Sequence, residues 1–216
     1  MERPDFIFVT GCNAAGKSSL IRSHLSEFPG YEVIMTDVYK GRSREVFRNA
    51  IRDAKNIILE TPFNDGGFKE LIDLARNAGY QTSMVVLFLK SAAQSLERVA
   101  NRRALENGLY ISPGNVEYNF IENFKNVAIC FPYFDESHFL YTGEKGLNQL
   151  IMRFEEDRLV EYISNNLTYI QKFAEHAFRQ QRLDKKDFEI IGGNNDYLKD
   201  SQKMSPRRSF RTQGEN

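Results

Sequence analysis

The stretch Phe6-Ile7-Phe8-Val9-Thr10-Gly11-Cys12-Asn13-Ala14-Ala15-Gly16-Lys17-Ser18-Ser19-Leu20 constrains this chain more than any other. It joins a short apolar run to a Gly-x-x-x-x-Gly-Lys-Ser loop and then to the start of a helical pattern. Loops of this composition wrap backbone N–H groups around polyphosphate oxygens, with the lysine on the outer phosphates and the hydroxyl on Mg²⁺. The two glycines supply backbone freedom, and a helix starting near Gly16 aims its unpaired amides and positive dipole end at the same anion. Taken without its surroundings, the pattern also fits two turn glycines and a solvated lysine. The surroundings favour the phosphate loop: four of the five residues before Thr10 are apolar, and Leu20, Ile21, His24 and Leu25 follow at helical spacing.

The rest of the chain reads as alternating strands and helices. Residues 31–36 form a short strand ending at Asp37, after a Pro29-Gly30 break, and a helix with Val46, Phe47, Ala50, Ile51 and Ala54 on one face follows from about Ser43. Asn56-Ile57-Ile58-Leu59-Glu60-Thr61-Pro62 is a buried strand closed by an acid, a hydroxyl and a proline. A helix over 68–78, a strand over 84–89 and a helix capped by Ser91 continue the pattern. Residues 108–114 read as loop and 116–127 as a short helix, together a mobile flap, before a strand over 138–142.

This order predicts an α/β fold, a three-layer α/β/α sandwich around a five-stranded parallel sheet, with the flap after the fourth strand and a C-terminal helical extension. Residues 1–190 are expected as one domain, with a core over 5–145 and the extension over 146–190. Within the extension, 150–163 reads as a hairpin in preference to one helix, and 167–177 as a helix. The polar residues 191–216 are expected as a poorly ordered tail.

With 29 basic residues against 29 acidic, no global field draws the chain to nucleic acid or a membrane. Cys12 and Cys130 offer neither a disulfide framework nor metal-ligand spacing. The first strand begins almost at residue 1 with no secretory leader ahead of it, and no apolar run has the length of a membrane span, so the expected location is the cytoplasm.

Ligands of open α/β sheets bind beyond the carboxyl ends of the strands. That rule brings residues 10–19, Asp37 and Glu60-Thr61 to one rim. Asp37 is placed there to accept a proton from an attacking hydroxyl or to hold Mg²⁺ through water, and Glu60 to orient an acceptor or complete the metal shell. Both also fit acids that merely close strands. Arg98, Arg102 and Arg103 lie on the helix leading to the flap, where a guanidinium can neutralise a transferring phosphoryl group. Adjacent Arg102 and Arg103 cannot both face the site. His24, His138 and His176 show no catalytic spacing.

These residues resemble the zeta toxin family of P-loop kinases. Gly11-Cys12-Asn13-Ala14-Ala15-Gly16-Lys17-Ser18-Ser19 is similar to that family's Gly-x-Asn-Gly-x-Gly-Lys-Thr-Thr loop, and Met35-Thr36-Asp37 to its Asn-Ala-Asp strand end. Glu60-Thr61-Pro62 stands where the family has Glu-Thr-Thr, and Leu96-Glu97-Arg98-Val99-Ala100-Asn101-Arg102 resembles its Glu-Arg-Val-x-x-Arg helix. The likeness spans about residues 5–145. It implies an ATP- and Mg²⁺-dependent kinase for a small hydroxyl-bearing acceptor, with nucleotide sugars such as UDP-N-acetylglucosamine the family's known class. Asp37 would then be the general base, residues 11–19 would bind nucleotide, Ser18 would hold the metal, Glu60 and Thr61 would touch the acceptor, and Arg102 would assist transfer. An antitoxin-like protein partner is a further possibility that the residues themselves do not specify. Two departures stand out. Ala14 replaces a loop glycine, and Glu117-Tyr118-Asn119-Phe120 occupies the place of an arginine-rich lid helix. They leave open a nucleotide-responsive binding protein with little turnover, or a P-loop kinase for another small metabolite.

Overall fold

The computed structural model describes residues 3–106, 110–144 and 147–199. The apolar run of residues 6–9 lies inside β1 (Asp5–Thr10), buried on both faces as a strand sandwiched between helical layers must be. The chain continues through α1 (Lys17–His24), β2 (Glu32–Met35), the single turn α2 (Thr36–Tyr39), α3 (Ser43–Arg52), β3 (Ile57–Thr61), α4 (Lys69–Asn77), β4 (Gln81–Phe88) and α5 (Ala92–Glu106). After it come α6 (Pro113–Cys130), β5 (Glu136–Tyr141), β6 (Gln149–Glu155), β7 (Arg158–Tyr162), α7 (Thr168–Arg179), α8 (Lys185–Gly193) and β8 (Tyr197–Leu198).

Among the described residues the sheet has eight strands, in the order β2-β3-β1-β4-β5-β6-β7-β8, where five were expected. The strands from β2 to β5 in that order run parallel. The other three continue the sheet antiparallel. The helical extension is therefore half sheet: β6 and β7 form the hairpin read from residues 150–163, turning through Glu156 at φ 55. They cover the edge that β5 would otherwise expose. Residues 191–199, expected as part of a poorly ordered tail, instead hold the end of α8, which runs to Gly193, and β8, which pairs Tyr197 with Tyr162. Residues 200–216 lie outside the described residues.

Two aromatic groups hold the layers. Phe6 and Phe8 of β1 meet Phe47 of α3 and Phe63 edge-on, each at a centroid distance of 5.0 Å. Tyr169 of α7 stacks on Phe88 of β4 at 4.7 Å, and Phe173 packs against Phe139 at 4.7 Å. Each fully buried ring of this kind contributes about 1.5–3 kcal/mol, which fixes α3 and α7 on the sheet. The segment expected as a short helix within a flap is instead an 18-residue helix, α6. Ser112 caps it, its hydroxyl accepting the Asn115 N–H, and Pro113 occupies the first turn, where its missing N–H costs nothing. Val116, Phe120, Phe124 and Val127 make its inner face part of the core. Residues 108 and 109 of the expected flap lie outside the described residues.

Candidate active site

β1 is flanked by β3 on one side and β4 on the other, so the chain order reverses at its carboxyl end. The loop carrying residues 11–16 leaves from this switch point, where open sheets bind ligands. Gly11 is required by proximity: a Cβ there would sit 2.1 Å from the backbone oxygen of Leu87 in β4. Further on, Ala14 and Gly16 adopt left-handed backbone, with φ 56 and 95. Such turns curl successive N–H groups into an anion-binding concavity.

The carbonyls of the loop are held on all sides. Lys17 Nζ donates to Gly11 O at 2.9 Å and Cys12 O at 3.1 Å. Ser95 Oγ donates to Asn13 O at 2.7 Å, Arg98 to Ala14 O at 3.5 Å and Thr142 Oγ1 to Ala15 O at 2.8 Å. Arg98 also donates to Thr142 O at 2.6 Å, closing the brace between α5 and the end of β5. With the carbonyls used, the N–H groups are what the loop offers a ligand, apart from that of Ala15, which donates to Cys12 O at 3.3 Å. Arg98, one of three arginines that the sequence offers to a phosphoryl group, is thus a brace of the loop. Ser95 and Thr142 were not foreseen, since single hydroxyls in a helix and at a strand end carry no motif.

Lys17 is 9% exposed, and burial lowers its pKa against the opposing pull of Glu60, Cys12 and Asp37; Arg102 adds to the lowering. The same interactions place Asp37 and Arg102 within electrostatic reach of Lys17. Asp37 lies in α2 and is exposed, and Arg102 is exposed on α5. Ser18 Oγ stands 2.8 and 2.9 Å from the two oxygens of Glu60, a carboxylate only 7% exposed at the end of β3. Burial raises the Cys12 thiol pKa despite Lys17 and Ser95, which keeps it protonated and unreactive. Ser19 is exposed on α1.

Thr61 is fully buried and its hydroxyl accepts the N–H of Phe63 at 3.1 Å, so it does not line the rim with Glu60. Neighbours on a strand point to opposite faces, which separates the two. Arg103 turns away to Tyr110, its guanidinium 4.7 Å from the ring centre.

A third wall comes from α6. Asn119 donates to Asn13 Oδ1 at 2.8 Å and accepts from Asn64 at 2.6 Å. Asn123, fully buried, donates to Thr10 Oγ1 and to Pro62 O at 2.9 Å each and accepts the Tyr169 hydroxyl at 2.9 Å. Asn126 donates to Phe63 O at 2.9 Å. The spacing i, i+4, i+7 puts the three amides on one helix face; nothing in the sequence singles them out.

Ser18 and Glu60 present hard oxygen donors of the kind Mg²⁺ takes, and Mg²⁺ characteristically uses one or two protein groups, water and substrate phosphates. Among the described residues no group of three or more His, Cys, Asp or Glu converges on a metal position. Among the described residues no helix is long and apolar enough to cross a membrane.

No protein-family model matches the chain, and no curated protein matches it in sequence. Solved structures do share its fold. The AvrRxo1-ORF1:-ORF2 complex superposes with a TM-score of 0.58 at 13% identity, over 81% of this chain and 64% of that one. The same assembly with ATP gives 0.58 at 14% identity over the same shares. The chain thus spans under two thirds of the AvrRxo1 chain in these two structures. The PezAT toxin-antitoxin system of Streptococcus pneumoniae gives 0.51 at 12% identity, over 90% of this chain and 85% of that one. At the level of fold, these neighbours agree with the zeta-toxin-like P-loop resemblance seen in the sequence.

Proposed function

We propose that the chain is an ATP- and Mg²⁺-dependent phosphotransferase of zeta-toxin type, which moves the ATP γ-phosphate to a hydroxyl of a small molecule. The observation that carries this reading is the Ser18–Glu60 pair, at 2.8 and 2.9 Å, set beside Lys17 and the P-loop. ATP in a structure of similar fold supports the choice of nucleotide.

Each residue has a task in that chemistry. Lys17 exchanges its bonds to Gly11 O and Cys12 O for phosphate oxygens, and the anion's charge offsets the burial that depresses its pKa. Ser18, held by Glu60, would ligate Mg²⁺, which supplies charge neutralisation across the outer phosphates. Asp37 accepts the proton of the attacking hydroxyl as the new P–O bond forms and ADP departs. Arg102 adds positive charge at the transferring group. Glu60 serves the acceptor only indirectly, through Ser18, and Thr61 holds the loop after β3. A nucleotide sugar such as UDP-N-acetylglucosamine is the first acceptor class to offer, and the PezAT system supports looking for an antitoxin-like partner.

The test is an ADP-release assay over a panel of nucleotide sugars, nucleosides and simple sugars. Acceptor-dependent ADP release that disappears in Asp37→Asn supports the reading. ADP release that is indifferent to every acceptor and to Asp37 contradicts it.

A further inference from the structure

Asn13, Asn119 and Asn64 form a chain of amides that runs one way: Asn64 donates to Asn119, and Asn119 donates to Asn13 Oδ1. Each amide has one acceptor end and one donor end. Once Oδ1 of Asn13 is engaged by Asn119, the Nδ2 donor is the end of Asn13 that remains for another partner, and among the described residues it has none. Asn13 is inside the P-loop, four residues before Lys17. Its backbone carbonyl is held by Ser95 at 2.7 Å, and its side chain by Asn119 at 2.8 Å. The helix that carries Asn119 is itself fixed, because Asn123 and Asn126 tie α6 to Thr10, Pro62 and Phe63.

We infer that Asn119 is a positioning residue that holds the Asn13 amide with its N–H₂ toward the nucleotide, so that Asn13 donates to the terminal phosphate. This rests on the proposed ATP site and deepens it. The loop recognises the γ-phosphate with a neutral donor that is preset before nucleotide arrives. A flipped Asn13 amide would present its oxygen to the phosphate instead, and Asn119 prevents that flip by occupying Oδ1.

The test compares ATP and ADP affinities, because a contact to the terminal phosphate is made by ATP alone. Asn119→Ala and Asn13→Ala, each in the full chain, should reduce the preference for ATP over ADP by about tenfold, the usual worth of one hydrogen bond to a charged group. The double variant should lose no more than either single one, since both changes remove the same contact. Asn115→Ala, on an exposed residue one turn earlier in α6, should leave the preference unchanged. Equal losses for ATP and ADP, or additive losses in the double variant, would mean that Asn119 only props α6, and would overturn the proposal. A parent chain that binds neither nucleotide removes the ATP-site reading and the proposal together. A parent with normal ATP preference that both substitutions leave intact removes the proposal alone.

Discussion

Ser18 Oγ is shared between both carboxylate oxygens of Glu60, at 2.8 and 2.9 Å, which couples the first turn of α1 to the end of β3. The pair predicts a specific division of labour. Glu60→Gln keeps the size of the side chain but weakens its hold on the hydroxyl and removes a charge that supports Lys17. Mg²⁺ affinity in the presence of ATP should fall about 10–100-fold, as when a group that orients a metal ligand is lost. Ser18→Ala should do the same. Titration of ATP binding against Mg²⁺ checks this, and unchanged Mg²⁺ dependence in both variants would remove the metal role.

Lys17→Ala should abolish nucleotide binding, because the ammonium is the buried cation of the loop. Asp37→Asn should leave binding largely intact while removing transfer, since Asp37 is exposed at the rim and holds no part of the loop among the described residues. Isothermal titration with Mg·ATP on both variants reads this difference. Full binding by the Lys17 variant would contradict the P-loop assignment.

Ala14 carries a φ of 56, in the left-handed region where a Cβ is crowded. That conformation costs an L-residue about 1–2 kcal/mol. Glycine relieves it but brings an unfolded-state entropy cost of about 0.4–1 kcal/mol. Ala14→Gly should therefore stabilise the protein by about 0.5–1 kcal/mol in urea unfolding. Gly11→Ala should act in the opposite direction and weaken ATP binding, because its Cβ meets the Leu87 carbonyl at 2.1 Å.

His138 in β5 provides a test at low pH. Burial, and secondarily the Arg153 guanidinium, push its pKa from 6.5 down to about 4; Glu136, 3.6 Å from Nε2, does not reverse this. Between those two values the unfolded chain binds a proton that the folded chain refuses, so stability rises with pH across the window and is lost as pH falls from 6.5 to about 4. The loss attributable to His138 is about 3 kcal/mol. Unfolding measured at pH 7 and pH 4 should show a difference smaller by that amount in His138→Gln than in the parent.

The parts legible in sequence are those in which one local pattern has one structural outcome. The apolar run, the glycines, Lys17-Ser18 and the helical spacing after them specify the P-loop, and Glu60 was placed at the rim because its strand is unbroken and ends there. Other residues have local patterns with two outcomes. Asn119, Asn123 and Asn126 carry no motif in sequence, and only their contacts reveal them as ties between α6 and the loops after β1 and β3. Thr61 was grouped with Glu60 although strand alternation sends the two to opposite sides. Tyr197 and Leu198 sit in polar sequence, yet two residues suffice to extend a sheet whose edge is waiting. Arg98 and Arg102 share a helix, and only the contacts of Arg98 with Ala14 O and Thr142 O reveal it as a brace of the loop.

The most direct measurement is mass spectrometry of a metabolite extract incubated with the protein and ATP isotopically labelled at the γ-phosphate, with Asp37→Asn as the control. A label-bearing phosphorylated metabolite found with the parent protein and missing from the Asp37→Asn sample is the predicted result, and it identifies the acceptor at once. Tight ATP binding with no labelled product in either sample would contradict phosphotransfer and leave a nucleotide-responsive binding protein in its place.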